Sequence, residues 1–237
     1  MTDPLYIAVH IPKTGGTSLN HELRRRFDSC LLEDNGDKLL SDQWSWIARR
    51  LLRRWRVPLN RQRLLREQRL ILGHFRADKY LPLGRGNLFY LCLLRDPVER
   101  TLSHYYYWKQ VTAVNNPDEI ERQPLLKALV EDDLSIEQFA AHPSMRTLYR
   151  RFFGRMSPLD FDFVGITEDY ARSIRLLNRM IGTELRPRHD KATERDAPGG
   201  HSECTLRAVR DANADNYRYY ELARQRFDTL SARHLAQ

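Results

Sequence analysis

The sequence predicts an α/β fold of three layers, a mostly parallel central sheet flanked by helices. Three observations predict it. Four short apolar runs, Leu5–Ile11, Leu70–Gly73, Leu88–Leu94 and Phe163–Ile166, read as strands buried on both faces. Helical patterns lie between them, the alternation that builds βα units. The first run empties into Pro12-Lys13-Thr14-Gly15-Gly16-Thr17-Ser18, a loop rich in glycine and hydroxyls that opens a helix. With 237 residues, 41% of them apolar, the chain suits one domain over residues 1–237 with a full core.

The elements follow in order. Leu19, Leu23 and Phe27 recur at spacing four and start a helix after the first loop. Trp44, Ile47, Ala48, Leu51, Leu52 and Trp55 form the apolar stripe of a second, with Ser41 or Asp42 as its N-cap. Asp96-Pro97-Val98-Glu99 opens a third: a cap, a proline at the first position and a glutamate at the third. Ser135 with Gln138 starts a fourth. A fifth runs from Thr167 through Ile174, Leu177 and Ile181 to stop at Gly182. Tyr217 to Leu235 reads as a terminal helix. Such sheets bind ligands beyond the carboxyl ends of their strands, so function is sought at residues 12–18, 74–76, 95–103 and 167–170.

Charge narrows the partners. Lys and Arg number 39 against 31 Asp and Glu, a net +8 that favours an anionic ligand or surface. Cys30, Cys92 and Cys204 form no C-x-x-C pair, which argues against a disulfide framework or zinc site. The chain enters its first apolar run at once and holds no 18-residue apolar stretch. The expectation is a soluble protein of a reducing compartment.

The loop after the first run is suited to a phosphate. Gly15 and Gly16 let the backbone approach, the N–H groups of a helix N-terminus attract an anion, Thr17 and Ser18 add hydroxyls, and Lys13 adds a point charge. The ATP-binding pattern G-x-x-x-x-G-K-[ST] is absent, because here the lysine precedes the glycines. No acidic metal ligand closes Leu88–Leu94, so the loop is read as holding phosphate with no metal required. An ordinary Gly-Gly turn is the plain alternative.

A second anion clamp is read in Arg95, at a strand end, and Ser103, eight residues on. The alternative is an arginine paired with Asp96 or Glu99 and a solvent-facing serine. Two clamps on one sheet point to a nucleotide phosphorylated at two places.

The stretches HIPKTGGTS and LRDPVERTLSHYY resemble the sulfotransferases that use 3′-phosphoadenosine 5′-phosphosulfate, nearest to the carbohydrate branch that includes the heparan sulfate 2-O enzymes. FVGITEDYARSIRLL is similar to that family's later strand–helix unit, so the resemblance spans roughly residues 5–180. It implies a P-loop-like fold and this donor nucleotide. Lys13, Thr14, Gly15, Gly16, Thr17 and Ser18 would hold the 5′-phosphosulfate, and Arg95 and Ser103 the 3′-phosphate. A late cationic loop, here with Lys191 or Arg188, would close over the nucleotide. The Arg-Lys-Gly signature of the small-molecule enzymes is missing, which argues against that branch.

Transfer to a hydroxyl needs a base. His74 follows the Leu70–Gly73 run, and a histidine's ordinary pKa of about 6.5 suits proton removal. The resemblance implies the same role for a histidine in this context. Glu22 and Asp78 are the carboxylate alternatives, while His10 is read as orienting the loop and His104 as packing.

The acceptor is expected to carry a hydroxyl, on a carbohydrate such as an anionic glycan. Residues 49–69 hold nine arginines and one acid, Glu67, which reads either as a solvated helix face or as a docking surface for such a polymer. Membrane-surface contact by the same amphipathic helix is a lesser option. No aromatic-basic nucleic-acid motif occurs. The family's lumenal members carry an N-terminal anchor that this sequence lacks, so a cytoplasmic bacterial enzyme is expected. A nucleotide kinase with an altered loop and a non-catalytic binder of anionic polymers are the rival readings.

Overall fold

The structure is a computed structural model that describes residues 4–40, 44–112, 120, 123–186 and 200–235. Five strands, β1 (Leu5–Val9), β2 (Leu31–Glu33), β3 (Leu70–Gly73), β4 (Leu88–Leu94) and β5 (Phe163–Ile166), form one sheet in the order β2-β3-β1-β4-β5. Every pairing is parallel, with Ile7 opposite both Ile71 and Tyr90. The sheet is flanked by helices, so the predicted fold class holds.

β3 and β5 are buried along their whole length, as runs covered on both faces must be. β2 was not expected from sequence. It is a three-residue edge strand, Leu-Leu-Glu, half-exposed and too short to make an apolar run.

β1 sits at the centre. The chain leaves it outward to β2, returns to β3, and then crosses to β4 on the other side. Its carboxyl end is therefore a topological switch point, where a crevice opens between loops that diverge.

The helices are α1 (Gly16–Phe27), α2 (Trp44–Leu59), α3 (Arg61–Glu67), α4 (Pro97–Tyr107), α5 (Pro124–Glu131), α6 (Ile136–Ala141), α7 (Pro143–Arg146), α8 (Leu148–Phe153), α9 (Tyr170–Ile181), α10 (Glu203–Ala212) and α11 (Ala214–Leu235). Local signals place their ends. Asp96 caps α4 by accepting from the N–H groups of Val98 and Glu99. Ser135 and Gln138 form a reciprocal capping box on α6. Residues 167–169 make a 3₁₀ turn, so α9 begins at Tyr170, and left-handed Gly182 ends it. A π-helical turn, Trp108–Thr112, extends α4.

α2 departs from expectation. Ser41 and Asp42, read as its caps, lie outside the described residues. Of the stripe read as its apolar face, Leu51, Leu52 and Trp55 are exposed, and Val57 is the residue that α2 buries among those with described side chains. Packing chose the other side of the helix.

Candidate functional site

The loop between β1 and α1 is held by contacts that leave its backbone curled. Lys13 and Gly15 both have left-handed φ, +67° and +74°, on either side of Thr14. A non-glycine residue at such an angle is uncommon, and turns of this kind gather N–H groups into an anion-binding concavity. Thr14 is fully buried, and its hydroxyl donates to the Ile11 carbonyl at 2.9 Å. Its side chain thus shapes the loop. Gly16 has a role that the sequence did not show: a Cβ there would lie 2.5 Å from His10 Cδ2, so the imidazole packs directly on this residue. Ser18 is buried and Thr17 exposed at the start of α1.

Thr167 joins this loop to the next strand end. Its hydroxyl lies 2.6 Å from the Thr14 carbonyl and 2.8 Å from the Leu94 carbonyl. Arg95 follows Leu94, so the two predicted anion clamps meet across one side chain. Nothing in sequence singled out Thr167 for this role beyond its place after β5.

Arg95 is partly buried and its guanidinium pairs with Glu99 at 3.2 Å, the pairing left open as an alternative. Its backbone is fixed by Tyr149, whose hydroxyl donates to the Arg95 carbonyl and accepts from its N–H. Ser103 is not solvent-facing. It is 3% exposed, and its Oγ has no hydrogen-bond partner among the described residues.

The same helix holds two more such groups. Arg100 is fully buried with Nε and Nη1 unpartnered, while its Nη2 donates to Thr101 at 2.8 Å. His104 is buried with Nδ1 unpartnered. Burial, then the nearby charges of Arg100, Lys13 and His74, hold the His104 imidazole well below the usual histidine range. Buried polar atoms without partners are few in folded proteins, and three residues of α4 carry them within five positions.

A cavity of about 240 Å³ opens beside the loop, lined by Lys13, Asn35, His74, His104, Tyr107 and Phe152 among others. Its walls are residues after β1, β2 and β3, closed by α4 and α8. Lys13 Nζ lies 3.8 Å over the Tyr107 ring, a cation–π contact.

His74 Nδ1 lies 2.6 Å from the His10 carbonyl. A carbonyl can only accept, so Nδ1 carries a proton, and in the neutral ring the lone pair lies on Nε2. The His74 N–H donates to Asn35 Oδ1 at 3.0 Å, and the ring stacks on His10 with centroids 4.5 Å apart. Burial, then the charges of His74, Arg24 and Lys13, push the His10 imidazole down to about 3. His10 thus stays neutral and orients His74, which extends the loop-orienting role read from sequence.

The carboxylate alternatives are engaged elsewhere. Asp78 is buried between Arg76 at 2.9 Å and Arg155 at 3.3 Å, and Glu22 pairs with Arg25 at 2.8 Å. Neither lines the cavity. Lys191 and Arg188 lie outside the described residues. Of the predicted site residues, Lys13 and His74 share the cavity; Arg95 and Ser103 do not line it, and Arg95 is joined to the loop through Thr167.

No protein-family model matches the chain, and no curated protein matches it. Among solved structures it is similar to mouse sulfotransferase SULT7A1 complexed with PAP, at 12% identity and a TM-score of 0.36, over 78% of this chain and 62% of that one. It is also similar to a sulfotransferase from Alicyclobacillus acidocaldarius, at 12% identity and a TM-score of 0.37, over 97% of this chain and 96% of that one. The chain spans less than two thirds of the mouse protein's length. Neither likeness is close enough to carry chemistry across, and what the site can do rests on its own residues. No helix among the described residues is long and apolar enough to cross a membrane.

Proposed function

We propose that the chain transfers a sulfuryl group from 3′-phosphoadenosine 5′-phosphosulfate to an acceptor hydroxyl, with a carbohydrate as the acceptor class. The observation that carries the reading is the Thr167 bridge: it sets a left-handed, lysine-bearing loop beside the strand end that leads to Arg95, Ser103 and their helix. One nucleotide with phosphates at both ends fits two such neighbouring clamps. The unpartnered Ser103 Oγ, buried eight residues after Arg95, is the kind of group that the 3′-phosphate would satisfy.

The donor supplies an activated sulfuryl group, whose S–O bond to the 5′-phosphate breaks as a bond to the acceptor oxygen forms. The Lys13 ammonium and the loop N–H groups through Ser18 stabilise the charge that grows on the leaving phosphate. Tyr107 keeps that ammonium at the cavity wall. His74 takes the acceptor proton at Nε2, since the His10 carbonyl fixes its tautomer. Arg95 exchanges its Glu99 partner for phosphate oxygens, which its fork fits better. We place this chemistry in one domain of a cytoplasmic protein.

Calorimetry with 3′,5′-diphosphoadenosine against ADP tests the two-clamp idea. The bisphosphate binds tighter, and Arg95→Ala removes the difference; equal affinity for both nucleotides in the wild type would overturn it. Lys13→Ala lowers sulfuryl transfer by about 10²–10³-fold. His74→Ala lowers it by about 10²–10⁴-fold and leaves bisphosphate binding unchanged. Undiminished transfer in His74→Ala would remove the histidine from the reaction.

A further inference from the structure

We propose that α2 docks the protein on a bilayer surface bearing anionic phospholipid headgroups. This does not rest on the sulfuryl-transfer reading. Leu51, Leu52, Trp55 and Leu59 are 56%, 64%, 74% and 84% exposed. At 3.6 residues per turn these four positions fall within an arc of roughly 100°. Exposed Ala48 falls inside the same arc, and buried Val57 faces nearly the opposite way. The helix therefore packs by one side and turns a continuous leucine–tryptophan stripe to solvent. Single exposed apolar residues need no explanation, but a stripe of this size on one helix marks an interaction surface.

Charge decides the partner. Residues 49–69 hold nine arginines and one acid. Glu67, that acid, is already paired with Arg63 at 2.9 Å and Arg66 at 3.4 Å. Arg56, Arg63 and Arg66 are exposed beside or after the stripe. A second copy meeting this face symmetrically would set arginines against arginines. An acidic glycan would engage the arginines and leave Trp55 and three leucines in water. A bilayer with anionic headgroups takes both: apolar side chains enter the acyl boundary, tryptophan suits the interface, and arginines stay with the phosphates.

Co-sedimentation of the full chain with phosphatidylcholine vesicles, with and without phosphatidylserine, tests the proposal. The expected result is binding to the phosphatidylserine vesicles that weakens about tenfold or more in L52S/W55S and in Arg56→Gln/Arg63→Gln. The replaced residues are solvent-facing, and circular dichroism with L52A/W55A as a second variant checks that folding is kept. Absence of vesicle binding overturns the proposal. So does binding that L52S/W55S leaves unchanged, which would be adsorption by charge alone. Concentration-dependent self-association lost in L52S/W55S, without vesicle binding, would assign the stripe to a second copy instead.

Discussion

Two buried polar clusters sit near the carboxyl edge of the sheet, and they are built in opposite ways. In the first, Lys79 Nζ donates to Asp34 at 2.5 Å and to Asp37 at 2.9 Å, and the Tyr80 hydroxyl donates to Asp34 at 2.7 Å. One cation faces two anions, and all four side chains are buried and hydrogen-bonded. In the second, on α4, the buried Arg100, Ser103 and His104 leave four polar atoms without partners among the described residues, where no carboxylate offsets the guanidinium. The first cluster completes itself and serves the fold, tying the segment after β2 to the one after β3. The second is costly for the protein alone, since a buried unpaired group bears its whole desolvation penalty. Under the proposed reading, the oxygens of a bound phosphate would offset that cost at Ser103.

The sharpest break of this contrast is one kind of substitution made in both places. Lys79→Met strands two buried carboxylates and destabilises by about 3–5 kcal/mol in urea unfolding. Arg100→Met removes an uncompensated cation and leaves the ligand-free protein as stable as the wild type, or up to about 2 kcal/mol more stable. Equal destabilisation by the two would erase the distinction.

The next largest effect is in pH. His10 is held down to about 3 and His104 well below the usual range, so both bind protons only when unfolded as pH falls below about 6.5. Stability is full above that value and falls with acid, with a slope of about 1.4 kcal/mol per pH unit for each group. For Asp34, burial pushes the carboxyl up, but the Lys79 charge and hydrogen bond, with Tyr80 and Gly36, outweigh it and leave it lowered. Its contribution is present above its unfolded pKa of about 3.9 and is lost only below that. Urea midpoints between pH 5 and 6.5 thus report the histidine side, and His10→Asn flattens that slope; an unchanged slope would show that His10 does not carry it.

The smallest effect is the most selective. Ser103→Ala leaves the ligand-free midpoint within about 0.5 kcal/mol of wild type, because the hydroxyl has no partner to lose. It weakens 3′,5′-diphosphoadenosine binding about tenfold, read by calorimetry. Weaker folding with unchanged nucleotide binding would make Ser103 a packing residue.

Much of the architecture was legible because it depends on local chemistry. Asp96-Pro97 with Glu99, and Ser135 with Gln138, announce helix starts whatever surrounds them. β2 was illegible because a three-residue edge strand carries no periodicity. Among the candidate site residues, Lys13, Arg95 and Ser103 were nominated by residue type and spacing. Thr167 and Asn35 were not, since each acts through a neighbour far away in sequence, and Arg100 was not, since its burial on α4 depends on packing. The α2 stripe was visible as a pattern, but periodicity marks an apolar face without saying whether core or solvent lies against it.

By itself, the sequence determined that buried strands alternate with helices, that a cationic glycine loop follows the first of them, and that the chain favours anions. Those properties reside in residue type and spacing along one segment. Tertiary structure alone decided that Thr167 joins two loops, that the His10 carbonyl sets the proton on His74, that Gly16 makes room for an imidazole, and that α2 turns its leucines outward. Each of these is a meeting between distant segments, and only the packing of the sheet and its helices chooses which of them meet.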